Sequence, residues 1–219
     1  PEATKIKRIS FDEMLEMASL GAQIMQARSI EVAKKFNVPI HVRSSFNNNS
    51  GTMIIKEVKN MEDVVVSAIT MNKNEVKITV RNVPDQPGIA AKIFNELADK
   101  EVSVDMIVQN VSHLRKTDIS FTVDRADALN AIKLINKIKP DIGIKEVVKN
   151  ADIARISIVG VGMKSHPGVA GKMFEVLARH KINIEMISTS DISISCIVQK
   201  KFAQKAVRAL HSKFGLTKR

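Results

Sequence analysis

The chain has 219 residues, 44% of them hydrophobic, with 34 Lys+Arg against 23 Asp+Glu and a formal net charge of +11. That length and apolar content allow one or two domains with real cores; no run of about 18 apolar residues offers a membrane span, and the basic opening residues 1–8 lack the apolar segment of a secretory signal. The single Cys196 excludes an internal disulfide framework and reads as a small strand hydrophobe in a reducing cytoplasm, while the cations are scattered beyond short groups such as Lys34-Lys35, Lys200-Lys201 and Lys218-Arg219, a pattern of solvated surface rather than of a polyanion-binding stripe.

Residues 10–36 have helical periodicity, with Phe11, Met14, Leu15, Leu20, Ile24, Met25, Ile30 and Val32 supplying apolar faces. Ser10 with Glu13 three positions on forms a capping box, and Gly21 is a point where the stretch divides into two helices. Pro39 ends it, because the residue before a proline is pushed out of the helical region. Residues 40–43 alternate as a strand, 44–51 form a polar loop, and 52–58 read as a further strand. Residues 1–60 make no compact pattern of their own, and a core that small is marginal. They read as the tail end of a larger domain.

From there the predicted elements are a strand over 64–71, a strand over 76–83, a helix over 88–100 and a strand over 102–108. A polar loop over 110–117, a strand over 118–123, a helix over 127–138 and a strand over 144–148 follow. Next come a strand over 153–161, a helix over 167–180, strands over 182–189 and 192–198, and a helix over 202–214.

Residues 87–107 recur as residues 167–187 at a constant offset of 80, without a gap. Pro87, Gly88, Ala90, Lys92, Phe94, Leu97, Ala98, Met106 and Ile107 are identical to their partners, and Val104/Ile184 and Asp105/Glu185 are conservative pairs. Similarity at a fixed period marks a duplicated structural unit. The first copy reads β-α-β-β-α-β, a ferredoxin-like arrangement of four strands and two helices. The second reads β-α-β-β-α and lacks its last strand, whereas the strand over 64–71 has no partner in the first copy. An unfilled sheet edge is a liability, so this strand is expected to complete the second sheet, leaving the first copy inserted within the second.

In both copies a strand leads through a loop into Pro-Gly and a helix. With Pro87 and Pro167 at the first helical position, Gln86 and His166 are the expected N-caps, and neither is a preferred capping residue. A helix start with free N–H groups and a glycine that permits close approach suits a small carboxylate. Asp85 in the first copy corresponds to Ser165 in the second, and Gln86 to His166. An α-amino acid would place its carboxylate at the helix start and its ammonium near Asp85, unless Pro-Gly merely shapes the turn and Asp85 is an exposed loop carboxylate. His41, His113, His180 and His211 have no metal-ligand spacing with one another or with Cys196. No nucleophile elbow, phosphate loop or dinucleotide fingerprint is present, and Gly160-Val161-Gly162 is explained by a turn.

The segments V-P-D-Q-P-G-I-A-A-K-I-F-N-E-L-A (83–98), I-V-Q-N-V-S (107–112) and T-D-I-S-F-T-V (117–123) resemble the first ACT domain of the aspartate kinase family. G-M-K-S-H-P-G-V-A (162–170) and I-N-I-E-M-I-S-T-S (182–190) resemble the second, and L-G-A-Q-I-M-Q-A-R-S-I-E-V-A-K-K-F-N-V-P-I-H-V-R-S-S-F (20–46) resembles the end of the family's kinase domain. The resemblance implies an α+β chain: two ferredoxin-like ACT domains, the first (72–150) inserted in the second (61–71 with 151–219), preceded by a carboxy-terminal remnant of an α/β amino-acid-kinase domain (1–60). It implies feedback inhibition, by lysine, threonine or both, of the ATP-dependent phosphorylation of aspartate that opens lysine, threonine, methionine and diaminopimelate biosynthesis. Carried over by position, the first effector site comprises Asp85, Gly88, Ile89, Ala90, Val102 and Gln109, faced by Asn183 and Ile184. A second comprises Met163, Ser165, His166, Gly168, Val169, Ser188 and Thr189. The family's phosphate-, aspartate- and ATP-binding segments have no counterpart here. The expectation is therefore a regulatory piece without catalytic residues, a metal site or a cofactor of its own, ATP and Mg belonging to the full enzyme. The expected partners are the amino-acid effectors, a second copy through the ACT domains, and the kinase domain or catalytic subunit, with neither nucleic acid nor membrane. Met61 stands where a separate regulatory subunit could start. The rival readings are a free-standing ACT sensor that docks another enzyme, and a basic RNA-recognition-like fold. The latter is disfavoured by the absence of Trp and Tyr and by Phe121 being the only aromatic in the two central strands of the first copy.

Overall fold

The computed structural model describes residues 3–56, 65–110 and 115–217. Expectations placed on Val58, Met61, Val64, residues 111–114 and Lys218-Arg219 lie outside them. Two compact units emerge, one of Lys73–Ala154 and the other drawn from Pro1–Asn72 and Arg155–Arg219.

The first unit, Lys73–Ala154, contains β5 (Glu75–Pro84), α3 (Ile89–Ala98), β6 (Val104–Gln109), β7 (Lys116–Asp124), α4 (Ala128–Ile142) and β8 (Glu146–Asn150). Its sheet has the order β6-β7-β5-β8, antiparallel throughout. Val76, Ile78 and Val80 of β5 and Phe121 of β7 bury alternate side chains against Ile93 and Leu97 of α3 and Ala131 and Ile135 of α4. Phe94 meets Phe121 edge to face, with ring centroids 5.5 Å apart. α4 runs past Pro140 to a left-handed Gly143, so it ends four residues beyond the expected Ile138.

The other unit opens with β1 (Arg8–Ser10), α1 (Phe11–Ser19), α2 (Ala27–Lys35), β2 (Ile40–Val42) and β3 (Thr52–Ile55). β3 lies at the centre of a three-stranded sheet, parallel to β1 and antiparallel to β2. Ile9, Phe11, Met14, Ile30 and Ile54 form its core. The helical stretch is divided where Leu20 caps α1 and Gly21 takes φ +107°, a left-handed conformation suited to glycine. β1 was not expected, since three residues are too short for a periodic signal.

The same unit continues with β4 (Ala68–Asn72), β9 (Ile153–Val159), α5 (Val169–Arg179), β10 (Ile184–Thr189), β11 (Ser193–Gln199) and α6 (Ala203–Lys213). The sheet order is β10-β11-β9-β4. β4 pairs antiparallel with β9 from Ala68↔Val159 to Asn72↔Arg155, the place that β8 takes beside β5 in the first unit. All of β9 is buried. Ile156 and Ile158 share one face, and Arg155 and Ser157 share the other with Ser193 and Ser195 of β11, where the Ser157 and Ser195 hydroxyls are 2.6 Å apart. α1 accounts for part of that cover: Glu16 Oε1 accepts from Ser193 Oγ (2.6 Å), and the Ser19 carbonyl accepts from Arg155 Nη2 (3.3 Å).

Cys196 is fully buried in β11, and burial pushes its thiol from 9.0 up to about 12. Folded Cys196 should resist a thiol reagent at pH 8 and react promptly once denaturant is added; equal rates would refute its burial. Because the folded state holds the proton more tightly, this thiol's contribution to stability is complete below pH 9.0 and is lost as pH rises toward about 12. Residues 73–154 expressed alone should unfold cooperatively, since their sheet is complete. Residues 151–219, which keep all of β9 but lack β4, should not; cooperative melting of that piece would refute the dependence of β9 on β4.

Candidate functional site

The end of β5 is shaped by a bulge. The β5–β7 register shifts between Val80 and Val83, Asn82 takes φ +55°, and its N–H donates to Asp118 Oδ1 at 2.9 Å. Bulges of this kind re-aim a strand end. Beyond it the Asp85 N–H donates to the Arg115 carbonyl (2.9 Å) and the Gln86 N–H to the Pro84 carbonyl (3.0 Å). The Asp85 and Gln86 side chains are thereby left exposed.

α3 starts at Ile89, one residue past the expected 88 and two past Pro87, the expected first helical position. Gly88, not Gln86, is the N-cap, at φ +89°, and Pro87 belongs to the turn that the Ile89 N–H closes on the Gln86 carbonyl (3.4 Å). α5 repeats this with Gly168 at φ +90°, so Gly168, not His166, is its N-cap. No side chain caps either helix. A Cβ built on Gly88 or Gly168 meets nothing within 4 Å. Each glycine is therefore demanded by backbone conformation, and the space before each helix start is open. First-turn N–H groups with no side-chain acceptor point into that space, where the helix dipole favours an anion.

In the first unit the structure brings Asp85, Gly88, Ile89, Ala90 and Gln109 to one end of the sheet. β5 and β6 both reach it beside β7, with Pro84 opposite Lys116 and Gln109 opposite Ile119. The Asn110 carbonyl that follows accepts from Thr117 Oγ1. Val102 lies elsewhere. It follows the far end of α3, donates its N–H to the Leu97 carbonyl, and buries its side chain in the core. Ile89 is also buried, so its contribution to the open space is its backbone. Asn183 and Ile184 belong to the other unit, at the start of β10.

In that other unit Met163 and Ser165 sit on a 3₁₀ turn, Val161–Ser165, which leads through His166 to Gly168 and Val169. Ser188 and Thr189 end β10, which pairs with β11 through Ser188↔Ser195 and Thr189↔Ile194. His166 Nδ1 is 2.8 Å from the Gly162 carbonyl. A carbonyl only accepts, so Nδ1 carries the proton, and in the neutral ring Nε2 is left as an acceptor. On its other flank the turn borders a hollow of about 340 Å³ lined by Asp12, Val161, Lys164, Asp191 and Ile192, with Lys164 and Asp191 paired at 2.8 Å. Among the described residues no group of three or more His, Cys, Asp or Glu side chains could hold a metal ion. No helix among them is long and apolar enough to cross a membrane.

The ACT-domain family model matches residues 76–138 and 156–214, the two repeats in turn. The crystallised regulatory subunit of aspartate kinase from Thermus thermophilus, in its ligand-free form, is 40% identical with a TM-score of 0.66, over 68% of this chain and 99% of that one. The chain belongs to the aspartokinase family. It is an aspartokinase regulatory ACT region, and its relatives extend over the rest of it. Aspartokinase from Pseudomonas aeruginosa is 49% identical over 99% of this chain and 53% of that protein. Aspartokinase from Corynebacterium glutamicum is 42% identical over 99% and 52%. E. coli aspartokinase III in complex with lysine and aspartate, described as the T-state, has a TM-score of 0.74 at 25% identity, over 96% of this chain and 46% of that one. The chain thus spans about half the length of the curated aspartokinases it matches.

The sequence reading missed Glu13 as more than a cap, and Glu16 altogether. The signal available for Glu13 was an acid inside an apolar helix face. Because Gly88 needs only its conformation, Gly88→Ala should cost about 1–2 kcal/mol, and Gly88→Asn less, read as a fall in thermal midpoint. Equal, negligible shifts for both would contradict the left-handed assignment.

Proposed function

We propose that this chain senses amino acids for an aspartokinase. It binds lysine, threonine or both, and lowers the ATP-dependent phosphorylation of aspartate by the kinase domain to which it is joined or docked. The observation that carries the reading is the duplicated helix start, with an uncapped left-handed glycine and open space before it, set beside Asp85 in the first repeat. The helix start takes the effector's carboxylate and Asp85 its ammonium. Ser165 and His166 at the equivalent place offer neutral partners, so the two sites differ in strength and preference. The lysine named in the E. coli structure is consistent with an amino-acid effector.

The two edge strands favour assembly through ACT units. β6 and β10 each end a sheet, and each presents an isoleucine at the same repeat position, Ile107 at 53% and Ile187 at 43% exposure. An edge strand carrying exposed apolar side chains suits pairing with a second copy. Against the nucleic-acid reading, Phe121 is fully buried against Phe94 and has no face for a base.

Inhibition follows if the effector binds the inhibited arrangement better than the active one. Calorimetric titration of the chain with lysine and threonine, singly and together, tests the reading; no heat with any combination would count against it. Asp85→Ala should weaken binding about tenfold or more, as expected for loss of a charged hydrogen-bond partner, and Gln109→Ala should weaken it less. In the full-length enzyme both should shift inhibition curves to higher effector while leaving the uninhibited rate in place. Unchanged curves for both would remove the assignment of this site.

A further inference from the structure

Glu13, on α1, is fully buried, and it accepts more hydrogen bonds than helix capping explains. Its Oε2 accepts from the Ser10 N–H (3.4 Å) and Ser10 Oγ (2.9 Å), while its own N–H donates to Ser10 Oγ (3.2 Å). That completes a capping box. Its Oε1 turns to two distant segments: Ser67 Oγ donates to it at 2.5 Å and the Val161 N–H at 3.3 Å. Val161 opens the turn that carries Met163 and Ser165, and the next residue, Gly162, holds the His166 ring.

The turn has little freedom to slide past this anchor. A Cβ on Gly160 would lie 2.4 Å from the Val65 carbonyl oxygen and 2.9 Å from the Val66 Cα. The Ser67 N–H donates to the Val159 carbonyl at 2.8 Å. Glu16, one helical turn along the same face of α1, accepts from Ser193 Oγ (2.6 Å) and Ser190 Oγ (3.3 Å). Ser190 directly follows Ser188 and Thr189. The two carboxylates of one helix therefore hold the two chain segments that bear the second candidate effector site. Apolar side chains would have docked α1 at less desolvation cost. What the carboxylates add is direction, because each bond holds only while its loop keeps one position.

We infer that Glu13 is the positioning residue through which an amino acid bound at Met163–Val169 is felt by α1 and by β1, which Ser10 terminates. The inference rests on the effector reading above. Ligand contacts that draw in Ser165 or His166 move Val161, and Glu13 passes that displacement to the start of α1.

Hydrogen–deuterium exchange on the 219-residue chain, with threonine and lysine as probes and calorimetry alongside, tests it. In the parent chain, binding should change exchange both at 161–169 and at α1 amides, the latter by about fivefold or more, the low end of ordinary couplings. In Glu13→Gln, and in the milder Ser67→Ala should the first variant fold poorly, binding and the response at 161–169 should persist while the α1 response falls below about twofold. A purely structural Glu13 would alter the resting exchange of α1 but not its ligand-dependent change. An α1 response in the variants equal to the parent's overturns the inference, as does parent binding at 161–169 with α1 silent. Binding confined to residues 85–90 also overturns it while leaving the effector reading intact. No binding of either probe removes both.

Discussion

β9 is buried along its whole length, and a strand so placed cannot leave either row of backbone groups unpaired without a penalty comparable to several lost hydrogen bonds. β11 fills one side. The other is filled by β4, a strand that precedes the first repeat in the chain. Much of the architecture follows from that pairing. It encloses Lys73–Ala154 within the chain of the other unit. It brings residues 65–67, which lead into β4, against Gly160, at the head of the turn that bears the second candidate site. It also places Ser67 where Glu13 can reach it.

The duplicated sheets differ on the faces turned away from their helices. Lys77 and Thr79 on β5 are half-buried, whereas the corresponding Ser157 and Val159 on β9 are buried. The difference is matched in composition: a long cation and a threonine in one sheet, a serine and a valine in the other. Glu16 and the Ser19 carbonyl bond with this second sheet through Ser193 and Arg155. The outer face of the second sheet is thus bonded by α1, whereas that of the first is half-buried at Lys77 and Thr79.

The repeat, the topology and the destination of β4 were legible because each rests on a signal that spans many residues: a constant offset, hydrophobic period and a count of strands. The helix caps were misplaced by two residues because proline's preference for the first helical position competes with glycine's for the left-handed cap, and at Gly88 and Gly168 glycine's conformation decides. Val102 shows the limit of carrying a site over by position: the residue aligns with the motif, yet it packs in the core at the far end of α3 from Asp85. Glu13 could be read as a cap because capping is local. Its bonds to Ser67 and Val161 span 54 and 148 residues, which no local pattern encodes.

The pairing of Lys77 with Asn150 across β5 and β8 has a further consequence for synthesis of the chain. At roughly 5–20 residues per second, β4 leaves the ribosome several seconds before β9. The intervening unit is made during that interval, and β8, its last strand, precedes β9, so the unit can close its own sheet as β9 follows. Because its first and last strands are antiparallel neighbours, closing it brings the two exits of the unit side by side. The loop that must still be closed to join β9 to β4 then shrinks from about 80 residues to a handful, which lowers its entropic cost by about 2 kcal/mol. The inserted unit, by closing first, would serve as a folding jig for the sheet whose strands β4 and β9 flank it in the chain.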